Sequence, residues 1–466
     1  MNDHEKQLSE RCEATGQGHL FRFWDGLDET GRQRLASQIA ALDFELIAEL
    51  AGKVKGGGSA SCAAPKLEPP PLFPLEGGAE LSEQARRATE RGEALLAEGK
   101  VGYVLVAGGQ GSRLGFDGPK GMFPVGPVAG TTLFAWHARR LLAARERYSA
   151  PIAWYVMTSA TNDAATRRYF EEERYFGLEP EDVRFFVQAM LPALDGDGRI
   201  LMAAPDELFL APNGHGGTLA ALAESGCLAD ARSRGVDVFS YFQVDNPLVR
   251  PADPLFLGLH AESGAGMSSK VVAKRDAGEK VGVLGLVDGT LGCIEYSDIS
   301  DELREGKDAD GKLLFRAGNI AVHLLNRDFV ERLTQGGLKL PWHLAKKNIP
   351  SLDANGALVP QAGVKFETFI FDALAFSEGS VTMEVDRALE FSPVKNASGE
   401  DSPESTRRAL AKMFSGWAES AALTLPSARD GIVPIEVDPR FAEDEAGFLA
   451  RMPASASEAE RGLFFG

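Results

Sequence analysis

The sequence predicts an α/β fold built on a mostly parallel sheet, and three features predict it. From residue 101 onward, the short apolar runs VGYVLVAG, PIAWYVMTS, VRFFVQAM and DVFSYFQVD alternate with helix-patterned stretches around 131–147, 162–175 and 218–234. The first run leads straight into a glycine-rich turn, VLVAGGQGSRLGFDGPKGMFP over 104–124, with Arg113 and Lys120 at fixed offsets. Residues 268–297 and 313–325 are β-rich and suited to wall a crevice. In such sheets the ligand crevice lies beyond the carboxyl ends of the strands. Gly108, Gln188 and Asp245 each follow a strand run.

Taken in order, residues 20–52 read as helix, with apolar residues at three- and four-residue spacing and Asp28 or Thr30 as cap. Segment 53–78 breaks the pattern with Gly56-Gly57-Gly58-Ser59, then Pro69-Pro70-Pro71 and Pro74, and reads as a linker, flexible first and polyproline-like afterwards. Helix resumes over 81–98. Past 395 the texture turns acidic and helical, then gives short strands with Pro (LTLPSARDGIVPIEVDP), then an Ala/Glu-rich tail. The expected division is a helical N-terminal segment over 1–98, a catalytic domain over 99–392 and a small α+β C-terminal domain over 393–466.

Composition narrows the partners. With 44% hydrophobic and 25% charged residues among 466, the chain can bury a large core. A net charge of −18 argues against a nucleic-acid or anionic-membrane surface, so an anionic ligand needs local cations and backbone N–H groups. Cys12, Cys62, Cys227 and Cys293 form no CxxC or zinc spacing. The stretch MNDHEKQLSER lacks the apolar region of a signal peptide, and no run is apolar enough to span a membrane. A reduced, cytoplasmic protein is expected, with its oligomeric state open.

The spacing of the glycine turn separates it from commoner nucleotide loops. A P-loop needs Ser or Thr after its Lys, and a dinucleotide fingerprint needs GxGxxG, whereas Gly109-Gln-Gly111-Ser-Arg-Leu-Gly115 has one residue too many. Gly-Gly-x-Gly-[ST]-Arg-Leu followed by Pro-Lys is instead the signature of nucleotidyltransferases that make nucleoside-diphosphate sugars. The glycines let the main chain approach base and phosphate; Arg113 can meet a leaving pyrophosphate and Lys120 the α-phosphate. An ordinary tight strand-to-helix turn explains neither cation.

Further motifs follow: PKGMFPV, FFVQAMLPAL, NGHGGTLAAL, VDNPLVRPADPLFLG, KVVAKRDAGEKVGVL, EYSDIS, FRAGNIAVHLL, LPWHLAKKNIP, KFETFIFDAL and EFSPVKNASG, spread over about 100 to 400. In these the chain resembles the eukaryotic-type UDP-N-acetylhexosamine pyrophosphorylases of the wider UDP-sugar pyrophosphorylase family. The resemblance implies a Rossmann-like, GT-A-like nucleotidyltransferase fold on a mixed sheet, and UTP, Mg²⁺ and a hexose-1-phosphate, GlcNAc-1-phosphate foremost, as partners. It places Val106, Ala107, Gly108, Gly109 and Gly214 along the uridine, Gln188 on the uracil edge, Asp245 on the metal and Lys365 near the UTP phosphates. Arg113, Lys120 and Lys395 become the catalytic cations, with Lys395 gripping the sugar phosphate. Gly282, Glu295 and Asn319 face the sugar.

Two departures bear on the sugar. His215 stands where the N-acetylhexosamine enzymes usually carry Asn and UDP-glucose relatives carry Gly-His-Gly, and Arg316 stands where Asn is usual. His215 is therefore placed with the sugar phosphate, and a UDP-glucose or broad UDP-sugar enzyme is the first rival. A non-catalytic nucleotide-sugar-binding protein is the second. The remaining histidines, His4, His19, His137, His260, His323 and His343, read as structural.

Overall fold

Burial on both faces explains why the strand runs read as unbroken apolar stretches. In the computed structural model, which describes residues 1–56, 65–75, 79–296, 298–428, 431–451, 457–459 and 462–466, the chain divides into two compact units. The larger comprises Lys66–Gln188, Thr218–Lys339 and Phe371–Gly466. Its ten-stranded sheet contains β1 (Leu67–Glu68), β2 (Val101–Val106), β3 (Trp154–Thr158), β4 (Val183–Val187), β5 (Val238–Gln243), β6 (Met267–Ala273), β7 (Val283–Val287), β8 (Thr290–Ile294), β9 (Ala317–Asn326) and β10 (Thr382–Val385). The order is β1-β7-β9-β5-β2-β3-β4, with β6 on β9 and β10 and β8 on β7. Strands β5, β2, β3 and β4 run parallel, while β9 joins β5 antiparallel, so the sheet is mixed.

Helices flank the parallel half. Leu133–Tyr148 is capped by the Thr132 hydroxyl and buries Trp136, His137 and Leu141. Helix Ala79–Ala97 crosses Pro254–Ser263 so closely that a Cβ on Gly258 would stand 1.6 Å from the Ala88 carbonyl oxygen. Asp253 caps the second of these helices by accepting from the Leu255 and Phe256 N–H groups. The C-terminal residues add helix Pro403–Ser420 and strand Ile435–Val437 to the same core through Leu410, Phe414, Ile435 and Phe465.

The smaller unit comprises Met1–Pro65, Ala189–Gly217 and Leu340–Ile370. Its hairpin pairs His343–Leu352 with Leu358–Glu367, and Leu194 bridges to Val364. The N-terminal helices bury Leu20, Trp24, Leu35 and Ile47 against Leu194, Ile200, Val364 and Phe366. Gln17 fixes the docking by donating to the Gly198 carbonyl at 3.0 Å and accepting from the Ile200 N–H at 2.9 Å. The expected division at residues 98 and 392 follows the chain, whereas compactness groups 1–65 with two distant stretches.

Several local expectations need correction. Residues 20–52 are not one helix: Glu29–Ala40, capped by Asp28, ends before Asp43, which accepts from Glu45 and Leu46 N–H and starts Phe44–Lys55. The 218–234 stretch is split at Gly226, whose φ is +80°. Of the linker, 57–64 (with Cys62) and 76–78 lie outside the described residues. Its proline part, read as a linker across a surface, is laid along the sheet: β1 pairs with β7 and Phe73 exchanges hydrogen bonds with Thr382 and Glu384.

Candidate functional site

The glycine loop grows from the end of β2 and folds back on itself. The Gly111 N–H donates to Gly118 O at 2.9 Å and the Lys120 N–H to Gly109 O at 3.1 Å, turning the Lys120 side chain back toward the strand ends. A buried residue outside every motif holds the loop in place. The Asn162 amide donates to the carbonyls of Ala107 (2.9 Å) and Gly109 (3.2 Å), while its Oδ1 accepts from the Ser159 N–H at 2.8 Å. The N–H groups of Gly108 and Gly109 have no acceptor among the described residues and so remain available to an anion. Gln188 ends β4 beside this loop; its Oε1 is 3.4 Å from where a Gly108 Cβ would sit. Arg113 occupies a short 3₁₀ turn and is exposed.

Strand β5 lies next to β2 and delivers Asp245 beside the loop. The Lys120 ammonium stands 3.6 Å from the Asp245 carboxylate, with the two side chains 18% and 11% exposed. A lysine ammonium and a carboxylate thus occupy one spot beside the loop. The neighbouring Asn246, 4% exposed, ties in a third strand of chain. Its amide donates to Glu390 O at 2.7 Å, its Oδ1 accepts from Ser392 N–H at 3.1 Å, and Val394 N–H donates to Asp245 O at 2.8 Å. The next residue is Lys395, exposed, its N–H on the Asp401 carbonyl. Asp401 carries a φ of +54°, and burial pushes its carboxyl above the usual range.

Glu390 is anchored in turn. The fully buried Lys270 ammonium lies 2.6 Å from both Glu390 and Asp253. With two carboxylates on one ammonium the cluster is paired and desolvated, and Asp253 is held below the usual carboxylate range despite its burial. From the C-terminal residues, Arg407 donates to Pro124 O at 2.7 Å. Glu436 accepts from Val128 N–H (2.8 Å), Ala129 N–H (2.7 Å) and the Thr131 hydroxyl (2.5 Å). The end of the PKGMFP loop and the turn after it are therefore each held by a C-terminal side chain.

On the antiparallel half, Gly282, Glu295 and Asn319 lie together. Asn319 N–H donates to Gly282 O at 2.9 Å, and a Gly282 Cβ would meet Cys293 Sγ at 2.8 Å and Glu295 Oε1 at 3.4 Å. Cys293 is the unforeseen member: the Asn319 amide points at its sulfur at 3.9 Å, and burial pushes the thiol up to about 12. Arg316 turns its guanidinium to Asp308 and Glu384, each at 3.4 Å.

The smaller unit carries Gly214, His215 and Lys365. Gly214 has φ +80°, and a Cβ there would stand 2.3 Å from Thr368 O, so only glycine fits. His215 Nδ1 accepts from the Ile370 N–H at 3.1 Å, which leaves the proton of the neutral ring on Nε2. Its ring packs on Phe369, whose ring centre is 4.5 Å from that of His343. The Lys365 ammonium lies over the Phe209 ring.

Comparison with known proteins follows this geometry. Residues 65–435 match the model of the UTP–glucose-1-phosphate uridylyltransferase family. The human UDP-N-acetylhexosamine pyrophosphorylase-like protein 1 is 37% identical over 453 residues, covering 92% of this chain and 88% of the relative. The Saccharomyces cerevisiae UDP-N-acetylglucosamine pyrophosphorylase is 35% identical, covering 91% and 93%. The crystal structure of the Trypanosoma brucei uridine diphosphate N-acetylglucosamine pyrophosphorylase with an inhibitor superimposes with a TM-score of 0.82 at 28% identity, covering 100% of this chain and 99% of that one. A family match over most of the chain and a loop, carboxylate and sheet of this form lead to one assignment: the chain belongs to the UTP–glucose-1-phosphate uridylyltransferase family.

Proposed function

We propose that the protein transfers the uridylyl group of UTP to N-acetylglucosamine-1-phosphate, forming UDP-N-acetylglucosamine and pyrophosphate. The observation that carries this reading is the Lys120–Asp245 pair at 3.6 Å, beside a glycine loop with free N–H donors and one residue from the strap that ends in Lys395. Relatives bearing the name UDP-N-acetylglucosamine pyrophosphorylase or diphosphorylase, at 35–37% identity, favour the N-acetylated sugar. His215 is the one residue that favours UDP-glucose chemistry instead. Intact Arg113, Lys120 and Asp245 speak against a non-catalytic binding protein.

The sugar phosphate is already ionised near pH 7, so attack on the α-phosphorus needs no general base. Catalysis then consists of aligning two anions and neutralising the charge that develops. Val106–Gly109, with Gly214, would bind the uridine and Gln188 would read its edge. Lys120, Arg113 and Lys365 would hold the triphosphate, Lys395 and His215 the sugar phosphate, and Gly282, Glu295 and Asn319 the sugar hydroxyls. Asp245 fits a Mg²⁺ site: among the described residues no cluster of His, Cys, Asp and Glu offers a full ligand set, and a single buried carboxylate suits an ion that keeps waters and phosphate oxygens. When bound, the ion would supply charge neutralisation on the phosphates.

No helix among the described residues is long and apolar enough to cross a membrane, and Cys12, Cys227 and Cys293 are free thiols. The cytoplasm is the compartment we propose, with residues 393–466 as a small C-terminal domain that sets Lys395. The test is pyrophosphate release from Mg-UTP with GlcNAc-, GalNAc- and glucose-1-phosphate in turn. GlcNAc-1-phosphate should turn over fastest, and Lys120→Ala and Asp245→Ala should each lower kcat/KM by about 100-fold or more. Equal rates on all three sugars would refute a dedicated N-acetyl pocket, and variants within threefold of wild type would refute the mechanism.

A further inference from the structure

The side chain of Asn162 serves the glycine loop instead of its own helix. Asn162 directly precedes helix Asp163–Glu172, where an asparagine side chain ordinarily accepts from an N–H of the first turn. Here it makes no such bond. Other groups hold the helix start: the Asp163 N–H donates to Ser159 O at 2.9 Å, and the Asp163 carboxylate accepts from the Thr158 hydroxyl at 2.6 Å and from Arg167 Nε at 2.7 Å. Capping does not account for the residue.

Asn162 is 0% exposed, and each polar atom of its amide has two partners at the carboxyl ends of β2 and β3. Nδ2 donates to Ala107 O at 2.9 Å and Gly109 O at 3.2 Å, while Oδ1 accepts from the Ser159 N–H at 2.8 Å and the Ser159 hydroxyl at 3.1 Å. A peptide unit is planar and trans, so its C=O and N–H point opposite ways. Holding the Ala107 carbonyl on Asn162 therefore turns the Gly108 N–H away from Asn162. Holding the Gly109 carbonyl fixes the peptide plane two further on, and the Gly109 N–H lies in the plane between. Paired glycines without such anchors sample many orientations. Gly109 O also accepts the Lys120 N–H at 3.1 Å, so one acceptor joins Asn162 to the backbone of the lysine beside Asp245.

We propose that Asn162 is a positioning residue for uridylyl transfer. Its amide sets the Ala107–Gly109 turn so that the Gly108 and Gly109 N–H groups face the nucleotide and Lys120 stays beside Asp245. The inference rests on the reaction proposed above and adds to it a residue buried behind the loop.

The test is steady-state pyrophosphate release, with Mg-UTP and GlcNAc-1-phosphate varied in turn. Five proteins are compared: wild type, Asn162→Ala, Asn162→Asp, Lys120→Ala and Asn162→Ala/Lys120→Ala. Ionised Asn162→Asp keeps the acceptor for Ser159 but has no N–H for the two carbonyls. Both Asn162 variants should lower kcat/KM for UTP about tenfold or more, with KM for the sugar phosphate within about threefold of wild type. In the Lys120→Ala background, Asn162→Ala should cost only about threefold or less, because the two residues act on one loop; a loss through general destabilisation would multiply in full. Should Asn162→Ala fail to fold by circular dichroism, Asn162→Asp and its combination with Lys120→Ala decide. Asn162 variants within threefold of wild type, or a loss undiminished in the Lys120→Ala background, would overturn the positioning role alone. No release by wild type, or Lys120→Ala at the wild-type rate, would overturn the transfer reading and this role with it.

Discussion

At His215 the hydrogen bond from Ile370 decides which ring nitrogen carries the proton. The Ile370 N–H occupies Nδ1, so the proton of the neutral ring sits on Nε2, and protonation of Nδ1 would cost the Ile370 bond. An asparagine amide is also a donor, which explains how His and Asn can serve at one position without inverting its polarity. We therefore expect His215→Asn to change the ratio of kcat/KM for GlcNAc-1-phosphate over glucose-1-phosphate by less than about tenfold, whereas His215→Leu, with no donor, should lose about tenfold or more on both sugars. Pyrophosphate release measures both. Inverted behaviour, with Leu tolerated and Asn not, would mean that the ring acts through packing on Phe369. The sequence marks His215 as a departure from the resembling family; the tautomer comes only from a partner 155 residues away.

Among elements, the turn that follows PKGMFP is held by a side chain outside every motif, and the Phe391–Lys395 segment by Asn246, whose motif does not announce that contact. Glu436 collects three donors from Val128, Ala129 and Thr131 while fully buried. Glu436→Ala removes the acceptor of all three, so the buried Val128 N–H and Thr131 hydroxyl lose this partner. The expected cost is about 2–4 kcal/mol of stability, read as a lower urea midpoint at unchanged m; a change below about 0.5 kcal/mol would show the contact to be ornamental. Glu436, Asn162 and Asn246 share one reason for escaping sequence reading: their partners lie about 50 to 310 residues away, so no local spacing records them. Strands β2, β3 and β5 were legible because burial on both faces writes itself as an apolar run, whereas the edge strand β4 leaves Arg184 and Val187 exposed. The break at Asp43 was not, because the apolar spacing of 20–52 continues through Leu42 and only the cap reveals two helices. The resemblance assigned Gly282, Glu295 and Asn319 to one ligand, while Cys293, which lies among them, carried no signal.

Over the whole molecule, imidazoles sealed in the core add to the loss of stability in acid. Burial lowers His137 and His260 from 6.5 to about 4 each. His137 donates Nε2–H to Val244 O at 3.0 Å, next to Asp245. His260 bridges Ser268 at 2.8 Å and Asn326 at 3.0 Å. Between pH 4 and 6.5 the unfolded chain binds protons at these positions and the native chain does not. Stability therefore rises with pH across that window and is lost as pH falls. Each shift is worth about 3 kcal/mol over the full range, a slope of up to about 1.4 kcal/mol per pH unit per histidine. Asp401 and Glu443, pushed up by burial, act in the opposite sense, so the wild-type slope mixes both. The difference between wild type and His260→Gln isolates the imidazole: the variant should show a slope smaller by about 1 kcal/mol per pH unit in urea unfolding from pH 6.5 to 4.5, whatever its stability at pH 8. Parallel pH profiles for the two proteins would mean that His260 takes up its proton inside the folded core.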